Sequence, residues 1–221
     1  MKLGINIDHI AVLREARKIA DPDPLDALSI CKRAGADQIT IHLREDRRHM
    51  QDFDTENIIK LSTLPVNLEC AISTEMIDIA CHLKPHRVTL VPEKREEVTT
   101  EGGLAVTGEQ YRLKEAIRNL QANEIEVSLF IDPSQDAVHA SKVLGVEWIE
   151  FHTGKYANVY AMLYNNLNNT PYTIPELDLP RKDLKIILDR ELENLRKLSC
   201  DTIELGIRVA AGHGLNYHNV S

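Results

Sequence analysis

Apolar and polar positions alternate along this chain on two length scales. Short runs rich in Val, Ile and Leu recur at 3–7 (LGINI), 37–41 (DQITI), 65–70 (PVNLEC), 86–91 (HRVTLV), 126–131 (EVSLFI), 146–151 (VEWIEF) and 202–209 (TIELGIRV). Each has the length and composition of a strand in a buried parallel sheet. Between them lie longer amphipathic stretches of helical period. The stretch 24–35 starts with Pro24 and ends at Gly35, where a helix C-cap belongs. The stretch 73–84 opens on Ser73, a good N-cap residue, with Glu75 near the positive end of the helix dipole. The stretches 108–123, 134–145 and 181–198 repeat the theme. Strands and helices alternating in this way predict βα units joined by right-handed crossovers.

One internal echo supports a repeated unit. RAGADQITIH (33–42) and VLGVEWIEFH (143–152) align without a gap, each running from a glycine through a strand to a histidine. An open doubly wound sheet would carry a glycine-rich dinucleotide loop after its first strand, and INIDHI has none. The expected fold is therefore α/β, a (β/α)8 TIM barrel in a single domain spanning 1–221. Only seven strands are found, so the eighth βα unit is expected to be missing from this chain; such barrels typically run to about 250 residues. The Asn-, Tyr- and Pro-rich start of 152–200 marks that region as an elaborated segment between strands 6 and 7.

Composition narrows the partners. The 221 residues are 43 % hydrophobic and 27 % charged, with 26 basic against 34 acidic residues and a net charge of −8. That balance argues against nucleic acid, while local cationic clusters can still hold anions. No apolar run approaches the roughly 20 residues needed to span a bilayer. The N-terminus lacks a signal-peptide pattern. A cytoplasmic protein without a membrane partner is expected. The cysteines Cys31, Cys70, Cys81 and Cys200 form no CxxC pair, so reduced core thiols are expected.

In barrels the chemistry gathers at the C-terminal ends of strands. Those ends carry Asn6, Asp8 and His9 after strand 1, His42 and Arg44 after strand 2, Glu69 on strand 3, Glu150 and His152 on strand 6, and His213 after strand 7. Four of the chain's nine histidines stand there. His82, His86 and His139 read as surface or packing residues. Glu69 sits among apolar neighbours, where a carboxylate is costly unless it is paired or used. Arg14 and Arg17 fit an exposed helix face as well as an anion site. The stretch 92–103 reads as a solvated loop whose Thr and Gly pairs could offer donors to a phosphate.

A metal site built from His9, His42, Glu69 and His213 is the first rival reading, and would make the protein a divalent-metal hydrolase or aldolase. Asp8 and His9, as neighbours in an extended segment, would point apart and chelate poorly. Arg17, Arg44, Arg47 and Arg48 suit phosphate oxygens and would repel a divalent cation. No metal is expected. The second rival is a protein that binds a phosphorylated ligand without turnover.

GINIDHIAVLREAR, ITIHLREDRRHM, VNLE, LVPEKREEVTTEGGL, VSLFID, IEFHTGKYA and AGHGLNYHNV occur in order across 4–220, and together closely resemble the pyridoxine 5′-phosphate synthase family. The resemblance implies a (β/α)8 barrel that assembles as a homo-octamer and works without a cofactor. It also implies ring closure between two phosphorylated substrates, 1-deoxy-D-xylulose 5-phosphate and 3-amino-2-oxopropyl phosphate. The products would be pyridoxine 5′-phosphate, inorganic phosphate and water. By the family's pattern His42 would be a general base, Glu69 would take a carbon-bound proton, His213 would donate a proton and Glu150 would stabilise developing charge. Asp8, His9, Arg44, His49 and Thr99 would hold the deoxyxylulose phosphate; Asn6, Arg17 and Gly214 would hold the amino-ketone phosphate. Asp46, Arg47 and Arg48 are left as loop scaffold. The family's second Gly-His, after strand 8, has no counterpart here, so normal synthase turnover is not expected of these 221 residues. The 152–200 segment would serve either as a lid that keeps water from imines or as an elaborated surface.

Overall fold

The computed structural model describes residues 1–92, 102–107 and 110–220. Seven strands alternate with helices along the chain: β1 (Gly4–Asn6), α1 (Asp8–Arg17), α2 (Asp26–Arg33), β2 (Gln38–His42), α3 (Asp52–Leu61), β3 (Val66–Cys70), α4 (Thr74–Leu83), β4 (Arg87–Leu90), α5 (Gln110–Ala122), β5 (Glu126–Ile131), α6 (Gln135–Leu144), β6 (Trp148–His152), α7 (Gly154–Tyr164), α8 (Arg181–Glu204) and β7 (Arg208–Gly212). This is the β–α repeat of a (β/α)8 barrel with seven of its strands among the described residues.

The chain forms two compact units. The first comprises Met1–Glu93 and Gly108–Leu129, and the second Lys94–Thr107 and Phe130–Ser221. In the first unit β1 to β5 pair in sequence order, all parallel. Alternation along these strands separates two faces. Ile39, Ile41, Val66, Leu68, Cys70, Val88, Leu90, Val127 and Leu129 are buried on one. The other carries Gln38, Thr40, Asn67, Arg87, Thr89 and Ser128, with His42 and Glu69 at the strand ends. Five of these polar side chains bond one another. Arg87 donates to Gln38 and to Asn67 Oδ1, Thr89 Oγ1 donates to Asn67 Oδ1 (2.8 Å), and Gln38 Nε2 donates to Thr40 Oγ1 (3.1 Å). A buried polar layer is tolerable when it is satisfied in this way.

In the second unit β6 and β7 pair in parallel. The connection between them is built on its own core. Val159, Met162 and Leu163 of α7 pack against Leu184 and Leu188 of α8, flanked by Tyr156, Tyr160, Leu167, Leu177 and Ile187. Each such side chain contributes roughly 1.5–3 kcal/mol when fully buried. Arg181 ties the two helices, donating to the Leu163 carbonyl (2.5 Å) and stacking over the Tyr164 ring.

Several sequence expectations are corrected. The seventh strand is Arg208–Gly212, not 202–209. The buried stripe of α8 runs Leu184, Leu188, Glu191, Leu198 and Thr202, so Thr202 continues the helical period. The chain turns only at Gly206, whose φ of +80° a side chain would resist. Asp8 and His9 are not extended but open α1, although adjacent helical residues still do not face one another. Ser73 occupies the N-cap of α4 without a side-chain cap bond. Arg14 is no exposed face residue: it is 5 % exposed and forms a bidentate pair with Asp54 (2.8 and 2.6 Å). Of the cysteines only Cys70 is buried, and Cys200 is exposed. The echo between β2 and β6 does hold. Gly35 and Gly145 both take positive φ, and the strands that follow end on His42 and His152.

Candidate active site

In the first unit, three strand ends bring four of the expected residues together. His42 and Glu69 are register partners on β2 and β3. His42 Nδ1 lies 3.8 Å from Glu69 Oε2, with the carboxylate almost wholly buried. Asp8 holds the neighbouring strand in place: its Oδ1 accepts from the His42 backbone N–H (2.9 Å), and its Oδ2 from Asn6 Nδ2 (2.9 Å). The Asp8 N–H donates back to Asn6 Oδ1 (2.8 Å). Burial pushes the Asp8 carboxyl above its ordinary range, opposed by the bonds from His42 and Asn6.

The loop from β2 to α3 carries the cations. Arg44 is buried, with its Nε 3.7 Å from Asp46. His49 is half-buried, and burial lowers its pKa below the usual histidine value. Arg47 braces the loop: its guanidinium reaches Glu75 Oε1 (2.6 Å), Asp52 (3.2 Å) and the Glu45 carbonyl (2.8 Å). Arg48 pairs with Asp46 (2.6 Å). The arginines left as scaffold are thus engaged by acids of the same unit. His9 and Arg17 lie exposed at opposite ends of α1. Thr99 falls outside the described residues.

The second unit holds another carboxylate–imidazole cluster. Glu150 on β6 lies 3.5 Å from His213 Nδ1. His213 takes a positive φ of 73° and is followed by Gly214 at +77°. The chain beyond β7 is tied down by side chains that sequence reasoning did not single out. Thr153 Oγ1 bridges the carbonyls of Gly212 (2.7 Å) and His213 (2.6 Å). Asn219 Nδ2 donates to the Gly214 carbonyl (3.0 Å), and Tyr156 donates to the Asn219 carbonyl (2.9 Å). The signal for Thr153 was its place directly after a strand-end histidine. Tyr156 and Asn219 carried no local signal, because their partners are backbone atoms distant in sequence or in a terminal turn. Lys155, the lysine nearest a strand end, is engaged by Glu191 (2.5 Å). Among the described residues, no group of three or more His, Cys, Asp or Glu side chains is placed to hold a metal ion.

Gly212 has a specific reason to be glycine. A Cβ there would stand 2.4 Å from Glu150 Oε1, so the carboxylate would have to swing away. On the charge-stabilising role that the family resemblance implies for Glu150, Gly212→Ala is expected to lower kcat roughly 10- to 100-fold, because small misplacements of groups that act in the transition state cost that much. The melting temperature should move by only a few degrees, since a flexible side chain can yield. Steady-state kinetics beside a thermal melt checks both.

The β–α repeat is that of the barrel class of α/β proteins, and in each unit a strand end sets an imidazole beside a carboxylate. Comparison with known proteins then fixes the family. The model of the pyridoxal phosphate biosynthesis protein PdxJ matches residues 3–221, and the chain belongs to that family. It is 76 % identical over 220 residues to the pyridoxine 5′-phosphate synthase of a Sulfurovum species, covering all of this chain and 85 % of that protein. It is 61 % identical to the synthase of a Nitratiruptor species, over 100 % and 83 % of the two chains. Among solved structures, a mandelate oxidase variant with benzoyl-formic acid shares the fold at a TM-score of 0.52 and 13 % identity, over 88 % of this chain and 57 % of that one. A flavocytochrome b2 variant with sulfite bound does so at 0.51 and 15 %, over 94 % and 51 %. This chain thus spans only about half the length of those two proteins, and the likeness is one of fold alone.

Proposed function

We propose that the protein makes pyridoxine 5′-phosphate by condensing 1-deoxy-D-xylulose 5-phosphate with 3-amino-2-oxopropyl phosphate, releasing inorganic phosphate and water. The observation that carries this reading is the 76 % identity, across the whole chain, to a pyridoxine 5′-phosphate synthase. The geometry supplies what the chemistry needs. Imine formation, phosphate loss, ring closure and aromatisation are proton transfers, best served by several imidazoles and carboxylates. The amine comes from the substrate, so no lysine imine is required.

The roles divide between the two clusters. His42 acts as the general base in the first condensation, and Glu69 beside it takes a proton from carbon. Glu69's buried setting suits a base that must work away from water. Glu150 stabilises charge that develops in the transition state, and His213 acts as proton donor. Asp8, His9, Arg44, His49 and Thr99 bind the deoxyxylulose phosphate; Asn6, Arg17 and Gly214 bind the amino-ketone phosphate. The enzyme works as a homo-octamer in the cytoplasm.

The test is direct. Incubating the full-length protein with both phosphates should yield pyridoxine 5′-phosphate, followed by absorbance and mass, together with inorganic phosphate. Either substrate alone should give none. Product absent from the complete mixture, with both substrates intact, sinks the reading.

A further inference from the structure

The second unit contains an imidazole–carboxylate pair to which the proposed chemistry gives no part. His152 ends β6, its side chain is 10 % exposed, and its Nδ1 lies 3.2 Å from Asp132 Oδ1. Asp132 follows β5 and is held from a second side. Gly103 donates its backbone N–H to the same carboxylate, and a Cβ at Gly102 or Gly103 would collide with Asp132. The hydrogen bond from His152 in turn keeps the Asp132 carboxyl below its ordinary range. The His152 ring also packs closely on the start of α7: a Cβ on Gly154 would stand 2.5 Å from its Nε2.

His152 does not stand alone. Phe130 packs against it edge-on with ring centroids 5.0 Å apart, and against His213 at 4.1 Å. The two imidazoles meet edge to face at 5.9 Å. His213 needs such support. Its side chain is 44 % exposed and its backbone is left-handed, a conformation uncommon outside glycine. Phe130, His152 and Glu150 all lie against that ring.

We propose that Asp132 and His152 are positioning residues for His213. Asp132 fixes His152 with its proton on Nδ1, and His152 with Phe130 sets the His213 ring so that its Nδ1 stays turned to Glu150. The inference rests on the acid–base role of His213 proposed above. Asp132 and His213 face His152, and Glu150 lies on the far side of the His213 contact.

Asp132→Asn separates this role from a structural one. A carboxylate accepts from Gly103 and from His152 at once, whereas an amide has one acceptor oxygen. With that oxygen on the Gly103 N–H, the amide N–H2 faces His152 and demands the opposite tautomer, as in catalytic triads with the same change. Asp132 is more than half exposed, so the fold should be unaffected.

Ring 15N spectra of the full-length protein should show His152 changing from the Nδ1–H to the Nε2–H tautomer in D132N, with the His213 ring resonances displaced. In the same variant kcat should fall roughly 10- to 100-fold, with both KM values within about threefold. Asp132→Glu, which keeps two acceptors, should retain the parent tautomer and recover most of kcat. An unchanged His152 tautomer in D132N overturns the proposal. So does a changed tautomer that leaves the His213 resonances or kcat as in the parent. If the parent makes no product, the synthase reading fails, and the spectra alone decide whether Asp132 governs the two rings.

Discussion

Glu69→Gln should leave the full-length enzyme folded and able to bind both phosphates, yet slow its turnover by roughly a thousandfold or more. The substitution keeps the shape of the side chain and removes its basicity. Glu69 is 5 % exposed and lies 3.8 Å from His42 Nδ1, so no water-exposed base can readily take over its task. General-base catalysis by one positioned group supplies roughly 10²- to 10⁴-fold, and Glu69 is assigned the hardest proton, one bound to carbon. Two measurements decide the matter: single-turnover product formation, and calorimetric binding of the deoxyxylulose phosphate. Loss of binding together with turnover would make Glu69 a ligand-holding group. Turnover within about tenfold of the parent would remove it from the catalytic role.

Asp54→Ala carries the largest expected cost to stability. The Asp54 carboxylate accepts two bonds from Arg14, at 2.8 and 2.6 Å, and a third from the Gln51 backbone N–H at 2.9 Å. Both members are almost fully buried, at 6 % and 1 % side-chain exposure. Removing Asp54 leaves the terminal nitrogens of the buried Arg14 without their acceptor, with its Nε still held by Glu15 (3.2 Å), which costs about 3–5 kcal/mol. For a chain of this size that corresponds to a fall in Tm of roughly 6–20 °C. The pair also joins α1, which begins with Asp8, to the start of α3, where the loop bearing Arg44 and His49 ends. Substrate affinity should therefore fall along with stability. Replacing both members by leucine and methionine tests the cause: much of the stability should return, since an apolar pair strands no charge. A melting temperature unchanged in the alanine variant would refute the assignment.

Much of the architecture was legible because strand and helix periods differ so clearly. Glycines at 35 and 145 announced the ends of helices, and both take positive φ. The strand-end rule pointed to Asn6, Asp8, His42, Glu69, Glu150 and His213, and each lies at or near the end of a strand. What escaped had one common cause, dependence on partners distant in sequence. Arg14 looked like a surface residue because Asp54, its partner, lies forty positions away. The polar face formed by Gln38, Asn67, Arg87 and Thr89 was hidden because the strands read as apolar runs, although alternate positions point to opposite faces. Helix α8 outran its expected end because Thr202–Glu204 reads as β-prone, while the register of the residues before it keeps it helical. Helix α7 was hidden by its Asn and Tyr content, and only its packing on α8 explains it.

That packing also bears on the order in which the molecule assembles. Glu150 and His213 are about sixty residues apart, and closing an unstructured loop of that length carries an entropic cost that grows with its logarithm. The α7–α8 pair, with a core of its own, can collapse first and shorten the open chain left to close to a few residues at each end. The Glu150–His213 pair of the second unit would then form as a late step of folding, gated by a helical hairpin that packs on a core of its own. Mutations in the Val159–Leu188 core would show themselves as slow acquisition of activity after dilution from denaturant, with the final specific activity intact.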